Sequence, residues 1–342
     1  MRKINICFLI LFVFSSFAYA KEIKNLDGSL IVVPDKVNKV AALFGPSYER
    51  LFVLDVEDKI IVDGDFHLNG WPWSNIIYKR LNEIKGIPNA HNALNLEEVL
   101  KMNPDVVFYW DNPQAVKKMK EVGIAAVPAV STGKLDEIKN TLIVYAGVFG
   151  TKEKKIAMEY AAYFDEKVTY VKNIASKIKD KPAVYMANQE ILWTFGKSSD
   201  MAELISAAGG ICVHKDIEGG SKTEIAAEQL IKWNPDYIFV DHAGSSGNAA
   251  AEDVVKKASK DERLNDISAF RNNKIYINPT GVFFWDSGVQ KILLLLYVAK
   301  TIHPDQFRAL DMNKELKIFY KKFFRYELTD IETEKILKHQ NP

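Results

Sequence analysis

Glu97-Glu98-Val99-Leu100-Lys101-Met102-Asn103-Pro104-Asp105-Val106-Val107-Phe108 returns as Glu228-Gln229-Leu230-Ile231-Lys232-Trp233-Asn234-Pro235-Asp236-Tyr237-Ile238-Phe239. Six of the twelve positions are identical, and Asn234 follows Asn103 by 131 residues. Each copy reads as a short helix, an Asn-Pro-Asp turn that stops it, and an apolar, β-rich run with the composition of a buried strand. A unit repeated at that distance predicts two lobes built on one plan. Two lobes leave a cleft between them, and such clefts are where small ligands bind.

The sequence around the first copy fits an α/β lobe. Asp27-Gly28 reads as a hairpin turn ahead of an edge strand at Leu30–Pro34. Strand patterns at Val40–Phe44, Ile60–Val62, Val106–Tyr109 and Ala125–Val130 alternate with helical ones, which predicts a mainly parallel sheet with both faces covered. Around the second copy, strand patterns fall at Ala183–Met186, Ile211–Val213, Tyr237–Val240 and Ile275–Ile277, with closing helical stretches near Val289–Ile302 and Lys314–Arg325.

The two halves are separated by a different kind of sequence. Thr151–Asp180 contains neither Gly nor Pro, and Ile156, Tyr160, Phe164, Val168, Val171, Ile174 and Ile178 recur at nearly helical spacing. The spacing predicts one long helix of about 40 Å. The organisation expected is a signal peptide at 1–20, an N-terminal α/β lobe at 21–150, a connecting helix at 151–180 and a C-terminal α/β lobe at 181–342.

The signal peptide reading rests on Arg2 and Lys3, an apolar run from Cys7 to Phe17 too short to span a bilayer, and the small-x-small site Ala18-Tyr19-Ala20. It predicts export to the periplasm. Without residues 1–20 one cysteine, Cys212, remains, so no internal disulfide can form. Removing Arg2 and Lys3 from 45 basic residues leaves 43, against 44 acidic ones. That balance argues against a nucleic-acid partner.

Further motifs carry a resemblance. Asp27 precedes Pro34 by seven positions, and Asn95-Leu96-Glu97 leads into Asn103-Pro104-Asp105. Thr194-Phe195-Gly196 is followed by Met201-Ala202-Glu203-Leu204 and Ala208-Gly209-Gly210. The end carries His303-Pro304-Asp305-x-Phe307 and Phe319-Tyr320-Lys321-Lys322-Phe323-Phe324. In this order the chain resembles the periplasmic binding proteins of ABC importers for iron-siderophore, haem, cobalamin and related metal chelates. Its ending resembles the iron-chelate branch more than the cobalamin branch. The resemblance implies two lobes joined by one long helix, a monomer, and a permease dimer as partner. It also implies that Glu97 and Glu228, one on each lobe, dock on that permease. The bland alternative is that each acid merely favours a helix N-terminus.

Candidate ligand residues follow from loop positions. His67, His91, His214 and His242 fall in expected loops, and a neutral imidazole is a common ligand for iron, nickel or copper. His91 lies six residues before Glu97, where the resemblance implies a ligand contact; the same offset before Glu228 gives Lys222. Trp71, Trp73, Trp110, Phe195, Phe284 and Trp285 put large rings in the same loops, suited to walling a chelate or to packing beneath them. Arg50, Arg80, Arg263, Arg271, Arg308 and Arg325 all fall away from the strand-end loops, leaving Lys197 and Lys222 as candidate cations. This argues against a triply anionic catecholate and for a smaller or less charged iron or nickel chelate.

Three other readings stay open: a cobalamin binder, a haem binder, and a binder of free metal ions. An enzyme is disfavoured, since the chain carries no H-E-x-x-H, G-x-S-x-G, P-loop or G-x-G-x-x-G motif.

Overall fold

The computed structural model describes residues 20–64, 72–88, 90, 93–130, 134–243 and 251–342. The repeat folds as its sequence reads. In the first copy the helix Leu96–Met102 stops at Asn103, whose φ of 49° is left-handed; in the second the helix Ala227–Trp233 stops at Asn234, with φ of 43°. Asn tolerates this conformation, and the proline after it cannot continue the helix. The aspartate then ties the unit to its neighbour. Asp105 Oδ2 accepts from the Asn38 and Lys39 amides at 2.7 and 2.9 Å, and Asp236 Oδ2 accepts from the Ala183 amide at 2.9 Å. Each of these bonds fixes the start of the strand beside it.

Thirteen strands are seen among the described residues. β1 (Ala20–Lys24) and β2 (Leu30–Pro34) form the expected hairpin. β3 (Val40–Ala42), β4 (Ile60–Asp63), β5 (Lys85–Gly86), β6 (Val106–Trp110) and β7 (Ala126–Ala129) form a wholly parallel sheet in the order β5-β4-β3-β6-β7. In the C-terminal lobe β8 (Ala183–Asn188), β9 (Glu190–Thr194), β10 (Ile211–Cys212), β11 (Thr223–Glu224), β12 (Tyr237–Asp241) and β13 (Ile275–Ile277) form a mixed sheet. Its order is β11-β9-β8-β12-β13; β10 pairs parallel with the start of β8, while β9 runs antiparallel to β8 and β11 to β9. The antiparallel β9 was not expected. It follows β8 after the single residue Gln189, which takes a left-handed φ of 69°.

The connecting helix spans Thr151–Ala175, 25 residues, rather than reaching Asp180. Beyond it the Lys177 and Ile178 amides bond three residues back, to Ile174 and Ala175. This tighter turn carries Ile178 onto the core without continuing the α-helix, and Pro182 then favours extended backbone before β8. The C-terminal stretch also differs in detail. Met312–Phe319 passes into a π-turn at Tyr320–Phe324, and a further helix, Asp330–Leu337, follows with Thr329 and Glu332 forming a capping box.

Alternation along the strands sorts the core into three parts. One face of each sheet points to a shared central core: Val40, Ala42 and Phe108 from the first, Val184, Met186 and Phe239 from the second. The opposite faces build separate cores, Ala41, Val107 and Tyr109 in one lobe and Tyr185, Ile238 and Val240 in the other. The connecting helix contributes Ala157, Tyr160 and Phe164 to the shared core, and the C-terminal stretch contributes Phe319, Tyr320 and Phe323.

Candidate functional site

Strand order reverses between β3 and β6 in the first sheet and between β8 and β12 in the second. Ligands of open α/β sheets bind at the carboxyl ends of strands at such reversals. The residues there are Leu43–Gly45 and Trp110–Asp111 in one lobe, and Asn188, Asp241 and His242 in the other.

His242 follows β12 directly with a left-handed φ of 51°, uncommon outside glycine. Its Nε2 lies 2.9 Å from Asp286 Oδ1 and 3.6 Å from Asp241 Oδ1. One donor atom from each of Asp241, His242 and Asp286 lies within 4.8 Å of the others. Asn278 Nδ2 donates to Asp241 Oδ2 at 2.6 Å. Burial pushes the Asp241 carboxyl up to about 7, helped by the charge of Asp286. Burial also opposes charge on His242, yet Asp286 and Asp241 hold its imidazole above the ordinary value. Asp286 goes the other way: despite burial, His242 keeps its carboxyl below the aspartate range. The pair therefore sets an Asp286 carboxylate beside the His242 ring.

A chain of rings runs from this cluster to the other lobe. Phe284 stacks on His242, Phe283 meets Phe284 edge-on, and Tyr48 meets Phe283 edge-on at 6.0 Å. Tyr48 lies on the helix Gly45–Val53, which follows β3. Along the same seam Tyr48 Oη donates to the Val282 carbonyl at 3.0 Å. Glu49 accepts from the Val289 and Gln290 amides at 3.0 and 3.3 Å, and Arg50 donates to the Ser287 carbonyl at 3.3 Å. Burial pushes Glu49 up to about 7.

The residues expected at the site fare unequally. His67, His91 and Trp71 lie outside the described residues. Of the other candidates, His242 and Phe284 come together, and Trp110 sits half-buried at the end of β6. Lys222 is exposed, its Nζ 3.7 Å from the centre of the Trp193 ring and 2.5 Å from Gln189 Oε1. Lys197 is exposed and paired with Glu218.

Four of the candidates are buried in the structure. His214 is enclosed, its Nδ1–H donating to the Phe195 carbonyl at 2.7 Å, and burial lowers its pKa to about 4. Phe195, Trp73 and Trp285 are packed in the shared core, as are Phe283 and Phe284. Trp73 also uses its Nε1–H on the Gln340 carbonyl at 2.9 Å. Asp241 and Asp286 were missed. A carboxylate closing an otherwise apolar buried strand, and one directly after Phe283-Phe284-Trp285, were the available signals.

Glu97 and Glu228 are both exposed and both stand in the first turn of the repeated helix. No helix among the described residues is long and apolar enough to cross a membrane.

A sequence profile described as periplasmic binding protein matches residues 40–280, well over half of the chain. The chain belongs to the periplasmic binding protein family. These are solute-binding proteins of ABC importers. This binding protein is 25% identical over 327 residues to the molybdate-binding protein MolA of Haemophilus influenzae, covering 86% of this chain and 88% of that one. It is 30% identical over 230 residues to the iron(3+)-hydroxamate-binding protein FhuD of Bacillus subtilis, covering 63% and 67%. A periplasmic solute binding protein from Veillonella parvula superposes with a TM-score of 0.79 at 27% identity, over 93% of this chain and 97% of that chain. Helicobacter pylori CeuE with Ni(II) bound shares the fold at a TM-score of 0.76 and 22% identity, over 93% and 99%.

Proposed function

We propose that this binding protein captures an iron or nickel chelate of siderophore type in the cleft and delivers it to the permease dimer of an ABC importer. On this reading it is exported by the signal peptide at 1–20, works in the periplasm as a monomer, and carries out no catalysis. Three units are proposed: lobes at 21–150 and 181–342, and the connecting helix between them. Glu97 and Glu228 are the docking residues.

The observation that carries the ligand reading is the setting of His242. Metal-ligating histidines are held by a carboxylate on one ring nitrogen, which fixes tautomer and ring orientation. Asp286 supplies that carboxylate at 2.9 Å, and Phe284 sets the plane of the ring. The position at a strand reversal puts the group where the fold binds ligands. Among relatives, the name of FhuD gives an iron(3+)-hydroxamate ligand.

A second reading, a free divalent ion, is favoured by the close donor set of Asp241, His242 and Asp286. Titration by tryptophan fluorescence with iron(III) hydroxamates, nickel chelates and the bare ions separates the two. The chelate reading expects saturable binding of a chelate, weakened about tenfold or more in His242→Gln. Binding of bare ions alone favours the second reading. Chelate affinity unchanged in His242→Gln removes His242 from the site, and binding of cobalamin or haem in preference overturns the proposal.

A further inference from the structure

The end of the chain reaches both lobes next to this cluster. The helix Asp330–Leu337 closes with the Gln340 amide bonded to the Lys335 carbonyl and the His339 amide to the Ile336 carbonyl. This motif places its penultimate residue in the left-handed region, where glycine is usual. Here that residue is His339, with φ of 57°. Its Nδ1 lies 2.7 Å from the Asn278 carbonyl and 2.8 Å from Thr280 Oγ1. A carbonyl only accepts, so Nδ1 carries the proton.

Asn278 extends the connection. Its amide bonds the Val240 carbonyl at 2.9 Å, and its side chain holds Asp241. Asp241 in turn flanks His242. One residue after His339, the Gln340 carbonyl accepts from Trp73 Nε1, on the N-terminal lobe. Two consecutive residues therefore grip opposite lobes. Burial and the nearby His242 keep the His339 imidazole below its ordinary pKa, which suits the neutral tautomer.

We propose that His339 is a positioning residue for the ligand site, and that the chain end is a strap coupling the helix Pro72–Ile77 to the ends of β12 and β13. A side chain at this left-handed position costs roughly 1 kcal/mol relative to glycine; the contacts with Asn278 and Thr280 offset that cost. Naming the ligand site rests on the reading of His242 above, but the coupling does not.

Hydrogen exchange on the full-length protein tests the coupling without any ligand. Trp73→Phe keeps the ring and removes only the N–H. His339→Ala removes the other grip, and His339→Asn keeps an N–H donor near Asn278 and tolerates the left-handed backbone. We expect Trp73→Phe and His339→Ala each to raise exchange about fivefold in both residues 72–78 and residues 237–243, with His339→Asn restoring protection. Loosening confined to the lobe that holds the substituted side chain overturns the strap. So does exchange that rises evenly over the whole chain with the fall in melting temperature. Should His339→Ala not fold, Trp73→Phe carries the same test alone. A failure of the strap leaves the assignment of His242 standing, because that rests on chelate titration.

Discussion

The rings of His242 and Phe284 lie 3.7 Å apart between centroids and 26° from parallel. The stack sets the plane of the imidazole, while Asp286 sets its rotation within that plane. Phe284→Leu keeps an apolar group at the site and releases the plane. Chelate affinity is expected to fall about tenfold, the size typical of losing an orienting neighbour. Fluorescence titration of both proteins with the same iron and nickel chelates checks this; equal affinities would mean the ring plane is not needed.

Gly45 begins the helix that faces the other lobe, and a Cβ there would overlap the Phe283 ring. Gly45→Ala should lower stability by about 1–3 kcal/mol, the usual cost of overpacking. Adding Phe283→Leu should recover part of the loss by giving the methyl room. Chemical denaturation of the single and double variants measures this coupling. Simple addition of the two losses would contradict a direct clash.

Glu49 gives a pH dependence whose sign is fixed. Its pKa in the folded protein is raised from 4.5 to about 7 by burial. A raised pKa means that the folded state binds the proton more tightly than the unfolded state. The associated stability is fully present below about pH 4.3 and is lost as pH rises toward 7, by an amount on the order of 3 kcal/mol. Glu49→Gln should flatten that slope between pH 5 and 8. It should also lower the melting temperature, since an amide offers one acceptor to the two amides of Val289 and Gln290. A slope in the variant equal to the wild type would exclude Glu49 as its source.

Reversing charge at both Glu97 and Glu228 should abolish delivery to the permease while chelate affinity stays within about twofold, because rim charges govern docking more than distant binding. Uptake assays in reconstituted vesicles, paired with titration, separate the two effects. Wild-type uptake by the double variant would end the docking assignment.

The parts of this fold legible in the sequence were those with strong local signals. The Asn-Pro-Asp turns, the Asp27-Gly28 hairpin and the periodic run after Thr151 each need only neighbours a few residues away. β9 was not legible because a single left-handed Gln189 replaces the usual turn residues. The site was legible only in part. His242 could be found because it follows a strand, whereas Asp286 reaches it from a segment beyond β13 that only tertiary packing brings near. The burial of Trp73, Trp285 and His214 was not legible for the same reason: a ring or imidazole in a loop carries no local sign of whether it is covered.

The helix Gly45–Val53 is completed from far along the chain. Arg325 donates to the Phe52 and Val53 carbonyls at its end and pairs with Asp55 through Nε at 3.0 Å. These carbonyls therefore gain their partner only after more than 270 further residues have been made. Until then the first lobe has an open helix end, and the shared core lacks Phe319, Tyr320 and Phe323. The first lobe is therefore finished by the segment that is made after the second, and a truncation before Arg325 is expected to loosen residues 45–55 as well as the C-terminal stretch.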